Sequence, residues 1–446
     1  MRSFRPLPLI SAMALAFSGL AHGQSLLELY DSARGFDANY QSVQAQFEAT
    51  RLKSAQAQAK LGPTGSLSVN LSKNNIDYSP NKGSTNYERF YGTNAATVTA
   101  IQPLYRPADK AEVAQSSLQM QVVQEQLAAA EQDLMVRVSQ AYFDVLAAQD
   151  TVTFVQAQKT AVAEQLASAK RNFEVGTATI TDTREAQAGF DLVTAQEIAA
   201  QNDLQVKNLA LDQVVGKTGT KPKSMALKAE PSPLSPAQVE EWVSMSSDKN
   251  PNLRQATINL QVSELETRKA QAGLKPTVDL QISHSLQNSV NGSSSGAYSY
   301  GSTSNLTTGA VVLSWPFYTG NALDNRVRET LSLTQKAQAD LDAASRTVAQ
   351  NTRSAFFGVM SGVSQVKALQ AAVESSQVAL EANKLGYSVG VRINMNVLDA
   401  QSKLFDTKAK LAKARYDVLM GHLRLRQVSG TLQLQDLQGI NNLLEP

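Results

Sequence analysis

The chain has 446 residues and not one cysteine. That absence excludes disulfides, thiolate metal ligands, a cysteine nucleophile and a lipid carried on an N-terminal cysteine, while suiting an oxidising compartment. Aromatic residues make up only 6%, few for compact globules of this length and better matched to alanine- and glutamine-rich helices with thin apolar seams. Histidine is scarce as well. His22 sits among the first residues, which leaves His284 and His422 far apart in the chain. HExxH does not occur, and GxSxG is matched only by GSSSG (Gly292 to Gly296) in a polar connection and GYSVG (Gly386 to Gly390) at the end of a helical stretch. Neither is a strand-to-helix elbow, so no catalytic residue is expected. GKTGTK (Gly216 to Lys221) resembles part of a phosphate loop, but Leu211 stands where its first glycine is required, so no nucleotide site follows. No metal or cofactor is expected. After Gly23 there is no run of roughly 18 apolar residues, which excludes a helical membrane span. An excess of one charge is missing too. Without Arg2 and Arg5 the basic residues equal the 39 acidic ones, and a neutral chain is a poor partner for nucleic acid.

What is present begins with a leader. Arg2 and Arg5 precede LPLISAMALAFSGL, and small Ala21 and Gly23 follow. This order predicts a secretory signal peptide over 1–23.

The remaining chain repeats itself. A shift of 213 lays LGPT (Leu61 to Thr64) on LKPT (Leu274 to Thr277), and PLY (Pro103 to Tyr105) on PFY (Pro316 to Tyr318). At 214, AYFDV (Ala141 to Val145) meets AFFGV (Ala355 to Val359), EVG (Glu174 to Gly176) meets SVG (Ser388 to Gly390), and Gly216 meets Gly430. Landmarks spread over an entire half indicate duplication. The expected layout is a first repeat at 24–216, a linker at 217–238, a second repeat at 239–430 and a C-terminal segment at 431–446. Each repeat reads as helix, strand, strand, then long helices, with the strand pairs at 64–105 and 277–318.

Two periodicities alternate inside each repeat. Leu134, Val138, Ala141, Val145, Ala148, Val152 and Val155 step by four and three; after a polar break at Lys159 the pattern resumes at Val162, Leu166, Ala169 and Phe173. Sustained 3.5 spacing predicts helices wound on neighbours. An unbroken helix from Pro107 to Phe173, at ~1.5 Å per residue, is on the order of 100 Å long. The molecule must be elongated. Between the helices SLSVNL, ATVTA and TVDLQI alternate apolar with polar residues, and a fourth run centres on GAVVLSW; alternation is the pattern of barrel strands with one face to lipid and one to a wet lumen. The connections within each pair are long and polar, with several tyrosines, which suits the outer side of a membrane barrel.

Four strands cannot close a barrel, because single-chain membrane barrels need about eight. An open edge in lipid would leave backbone groups unsatisfied. Subunits must share the barrel: three copies give twelve strands and two give eight.

The leader, the duplicated unit, FEVGTATITD (Phe173 to Asp182) and YSVGVRINMNVLDA (Tyr387 to Ala400) together resemble the TolC family of outer-membrane channel proteins. The likeness spans essentially everything after Gly23. It implies a mixed α and membrane-β fold: a homotrimer whose twelve-stranded barrel lies in outer-membrane lipid and continues into a long α-helical coiled-coil tunnel across the periplasm. It implies docking to an inner-membrane transporter, ABC-type or proton-driven, through a periplasmic adaptor (membrane fusion) protein. Gly176 and Gly390 become the tip turns, where φ > 0 is needed. Thr181, Asp182, Tyr387 and Arg392 become the gate. Asn396 and Asp399 become the pore constriction, where the family has two aspartates and this chain keeps one. The linker and the C-terminal segment become a belt around the tunnel. The competing reading is an exported coiled-coil stalk with no pore.

Overall fold

The computed structural model describes residues 23–79, 86–225, 234–291 and 300–445. Most of the expected signal peptide, the outer parts of both strand connections and part of the linker lie outside the described residues.

Two short helices, α1 (Leu26–Phe36) and α2 (Ala38–Ala59), lead into strands β1 (Thr64–Tyr78) and β2 (Tyr87–Tyr105). Then come α3 (Pro107–Glu174) and α4 (Ile180–Val215). The order recurs as α5 (Val239–Lys249), α6 (Pro251–Ala272), β3 (Thr277–Val290), β4 (Ser302–Ser314), α7 (Ala322–Ser388) and α8 (Asn394–Val428), and α9 (Leu434–Asn441) ends the chain. Where one helix was expected ahead of each strand pair there are two. The breaks fall at Asp37 and Asn250, related by the 213 shift. Asp37 accepts the N–H of Tyr40, and Asn250 accepts those of Asn252 and Leu253; such caps satisfy N–H groups that a new helix leaves unpaired.

α3 has 68 residues and α7 has 67, each roughly 100 Å of helix. Pro107 stands at the first position of α3, where its missing N–H costs nothing. The α3 seam does not break at Lys159. It passes through buried Gln158, while Lys159 pairs with Glu197 of α4 at 2.7 Å. Nor does it reach Phe173, which is exposed; Ala169 is its last buried member.

The sheet has the order β1-β2-β3-β4, all antiparallel. Its register puts Leu67 opposite Val98, Val98 opposite His284, and Val69 opposite Ala96, with Leu286 beyond. Residues paired across strands share a face, so the apolar sets of β1, β2 and β3 form one continuous surface. Ile282, Leu280 and Val311 extend it. Ser68, Thr97 and Ser285 lie on the other face, where Thr97 and Ser285 hydroxyls meet at 2.9 Å. His284 is the one imidazole on the apolar face among the described residues, and its Nδ1 meets Thr307 Oγ1 at 2.8 Å. Where sheet meets helix, Arg106 grips Asp279 of β3 with two bonds of 2.9 Å, a bidentate pair across the two repeats.

Midway along the helices lies the largest core. Leu26, Leu29 and Tyr30 of α1, Tyr142 and Phe143 of α3, Tyr416 and Leu423 of α8 and Leu437 of α9 pack there. Tyr416 stacks on Phe143 and donates to Asp150 at 2.8 Å. Nearby, burial and the charge of Arg426 push the His422 imidazole below its ordinary value of 6.5. A group with a depressed folded pKa binds fewer protons folded than unfolded. Stability is therefore full above about pH 6.5 and declines as pH falls below it. His422→Gln should flatten this acid limb, which melting temperatures measured between about pH 7.5 and 5 would reveal.

Candidate functional site

At the end far from the sheet the long helices reverse in pairs, α3 into α4 and α7 into α8. Gly176 (φ 76°) and Gly390 (φ 80°) make the two turns. Each closes with the same pattern: Thr177 N–H and Ala178 N–H reach Asn172 O, while Val391 N–H and Arg392 N–H reach Gly386 O. Left-handed backbone at these points is open to glycine without the Cβ cost other residues bear.

The first turn is followed by a capping box. Thr179 Oγ1 accepts the N–H of Asp182 at 3.2 Å, and Asp182 Oδ2 accepts the N–H and hydroxyl of Thr179 at 2.9 and 2.7 Å. A carboxylate here also meets the positive end of α4. Asp182 thus starts α4 and has Oδ1 left over. The second hairpin is less complete: Asn396 Oδ1 accepts Ile393 N–H at 3.3 Å.

Thr181, Arg392 and Asp399 are exposed in the single chain, and Asp182, Tyr387 and Asn396 are half-buried. The four expected gate residues make no hydrogen bond or ion pair with one another within the chain. Arg392 lies with its stem over Gly386, where an added Cβ would stand 2.6 Å from Arg392 Cγ. Gly386 therefore lets Arg392 fold back across the end of α7. The structure brings the gate set to one end of the molecule, but any tie among its members must form between chains or in another state.

Three residues at this end were not singled out from the sequence. Thr179 was legible, since TITD is a capping-box pattern. Gly386 carried no local signal. Asn394 is fully buried between the hairpins; with Val397, Gln401 and Leu404 it forms a heptad seam, and a polar residue at a seam position was its signal.

Among the described residues there is no helix long and apolar enough to cross a membrane, and no group of His, Asp or Glu that could hold a metal. The profile of the family described as outer membrane efflux protein matches residues 29–217 and 242–431. The chain belongs to that family. It is 31% identical to the outer membrane protein TolC of Vibrio cholerae over 98% of this chain and 97% of that one. It is 28% identical to the alkaline protease secretion protein AprF of Pseudomonas aeruginosa, over 96% of this chain and 89% of the other. Among solved structures it superposes on CusC with a TM-score of 0.78, covering 92% of both chains at 16% identity, which shows a shared fold. This member of the outer membrane efflux family is an outer-membrane channel of the efflux and secretion type, with its helices reaching into the periplasm. The poreless stalk falls with that membership.

Proposed function

We propose that three copies of the chain form one duct, open to the cell exterior through a shared barrel and gated at the helical tip. One observation carries this reading. The four-stranded sheet pairs no partner at the outer edges of β1 and β4 among the described residues, yet β1, β2 and β3 join their apolar sets on one face. Such a sheet is stable in lipid only when further copies close its edges. Three copies make twelve strands, wide enough for a lumen lined by the Ser, Thr and Gln face. Leu192, Ile198 and Leu209 of α4 are exposed in the lone chain, which suits helix packing between neighbours.

In this duct Arg392 ties the tip by reaching Thr181 and Asp182 across hairpins, with Tyr387 beside it. A guanidinium offers several fixed donors, enough for a hydroxyl and a carboxylate together. A periplasmic adaptor and an inner-membrane transporter supply cargo and energy, and their docking breaks the ties. AprF is a protein of protease secretion, which supports protein export as one use of the duct. The purified protein should migrate as a heat-sensitive trimer in mild detergent and conduct in a planar bilayer. A folded monomer or dimer, or a trimer without conductance, would refute the reading.

The constriction follows from the same assembly. Asp399 supplies three carboxylates and Asn396 none, and rings of acids hold cations. Asn396→Asp should strengthen block by polyvalent cations on the order of tenfold, because three charges are added at close range. Titration of the block with a trivalent cation checks this, and equal block in both proteins would contradict it.

A further inference from the structure

None of the proposed gate ties forms inside one chain. A different tie does. Asn394, the first residue of α8, is 0% exposed. Its Oδ1 accepts Gln165 Nε2 of α3 at 2.5 Å, and its Nδ2 donates to the main-chain carbonyl of Asp182 in α4 at 3.2 Å. Both polar atoms of the side chain are spent on the opposite hairpin.

The surrounding seam explains why this matters. α3 and α8 run antiparallel, and the next layer toward the sheet joins Val162 to Leu398 with Val193. One heptad beyond Gln165 and Asn394, the buried residues are Gln158 and Gln401, at matching levels by that register. Gln401 is 2% exposed, and its Oε1 has no hydrogen-bond partner. The seam therefore alternates an amide layer, an apolar layer and a second amide layer that is short of one bond. Buried amides in an apolar seam set register more than they add stability, and an unsatisfied buried carbonyl raises the free energy of the arrangement that contains it. Asn394 is the satisfied end of a seam whose next layer is not.

We propose that Asn394, through Gln165 and the Asp182 carbonyl, is the intrachain positioning residue that holds the α7–α8 hairpin against the α3–α4 hairpin and keeps the entrance narrow. The proposal rests on the reading of the tip as a gate. Sliding α8 along α3 breaks both Asn394 bonds at once, so the tie works as a single latch. It sits on the inner, buried side of the hairpin pair, opposite in exposure to Arg392.

The test is single-channel recording of the full-length, detergent-purified oligomer in planar bilayers. Asn394→Leu keeps similar volume and removes both bonds; Gln165→Leu removes one from a half-buried position and folds more safely. Gln165→Leu should raise the frequency of large openings roughly fivefold, the weight of one hydrogen bond, and Asn394→Leu about 25-fold, the weight of two. The double variant should add little to Asn394→Leu alone. A merely structural role would lower the melting temperature and leave gating unchanged. Wild-type gating in a folded Asn394→Leu or Gln165→Leu oligomer, while Arg392→Ser enlarges conductance, overturns the proposal and leaves the gate standing. If Arg392→Ser is silent too, the gate reading itself fails. Should Asn394→Leu not assemble, Gln165→Leu decides.

Discussion

A Gly430→Ala variant is expected to lose nearly all assembled protein. Gly430 follows the last turn of α8 with φ 70°, a left-handed conformation that costs an alanine roughly 1–2 kcal/mol. The larger cost is contact. A Cβ built there would lie 2.2 Å from the carbonyl oxygen of Lys249 and 2.6 Å from the nitrogen of Asn250. Both are main-chain atoms, and they have little freedom to retreat. The α5–α6 break is held by Asn250, whose Nδ2 donates to Val428 O at 2.7 Å while its Oδ1 caps α6. Relieving the overlap means giving up that cap, so the total reaches about 3–5 kcal/mol, the range of severe core defects. Gly216 is the counterpart in the first repeat, and its Cβ would meet the ring of Phe36. Phe36 is more than half exposed and can swing aside, so Gly216→Ala should be milder. Gly439→Ala, in α9 with open space around it, serves as the control and should be neutral or slightly stabilising. Heat resistance of the oligomer in detergent measures all three. Comparable yields of the Gly430 and Gly439 variants would disprove the account.

Arg392→Ser should give the largest functional change: small, stable openings replaced by large ones, with the oligomer intact. Arg392 is exposed and makes no ion pair within its own chain, so its removal creates no buried defect. In the proposed trimer it is the side chain that ties two neighbours, and charged hydrogen bonds contribute about 1.5–3 kcal/mol each. Losing such bonds at three equivalent places shifts the closed–open balance by several orders of magnitude, as far as adjacent subunits move together. Serine leaves Gly386 uncovered but does not disturb the Gly390 turn, whose bonds are made by main-chain atoms. The measurement is conductance in a planar bilayer, with circular dichroism to establish retained helix. Unchanged openings from a well-folded Arg392→Ser trimer would remove Arg392 from the gate.

Much of this architecture could be read without coordinates. The long helices follow from unbroken composition between Pro107 and Glu174, and the strands from two-residue alternation; both are local periodicities that any single segment carries. Glycines at 176 and 390 marked the turns because a reversal between helices needs left-handed backbone. The helix breaks at Asp37 and Asn250 were hidden, since an Asx residue within a polar helix reads equally as surface or as cap. Gln158 was hidden for the same reason. A glutamine in a heptad pattern looks like an interruption until the partner helix is seen to bury it.

The sequence by itself determined the duplication, the element types and the apolar faces of β1, β2 and β3, because these depend on local patterns along the chain. Only the tertiary structure decided which atoms meet. It set the strand register that joins the apolar faces of β1, β2 and β3, the close approach of Gly430 to Lys249 and the bond from Asn394 to Gln165 across 229 positions. Such contacts depend on how helices pack side by side, a relation that no periodicity within either helix can express.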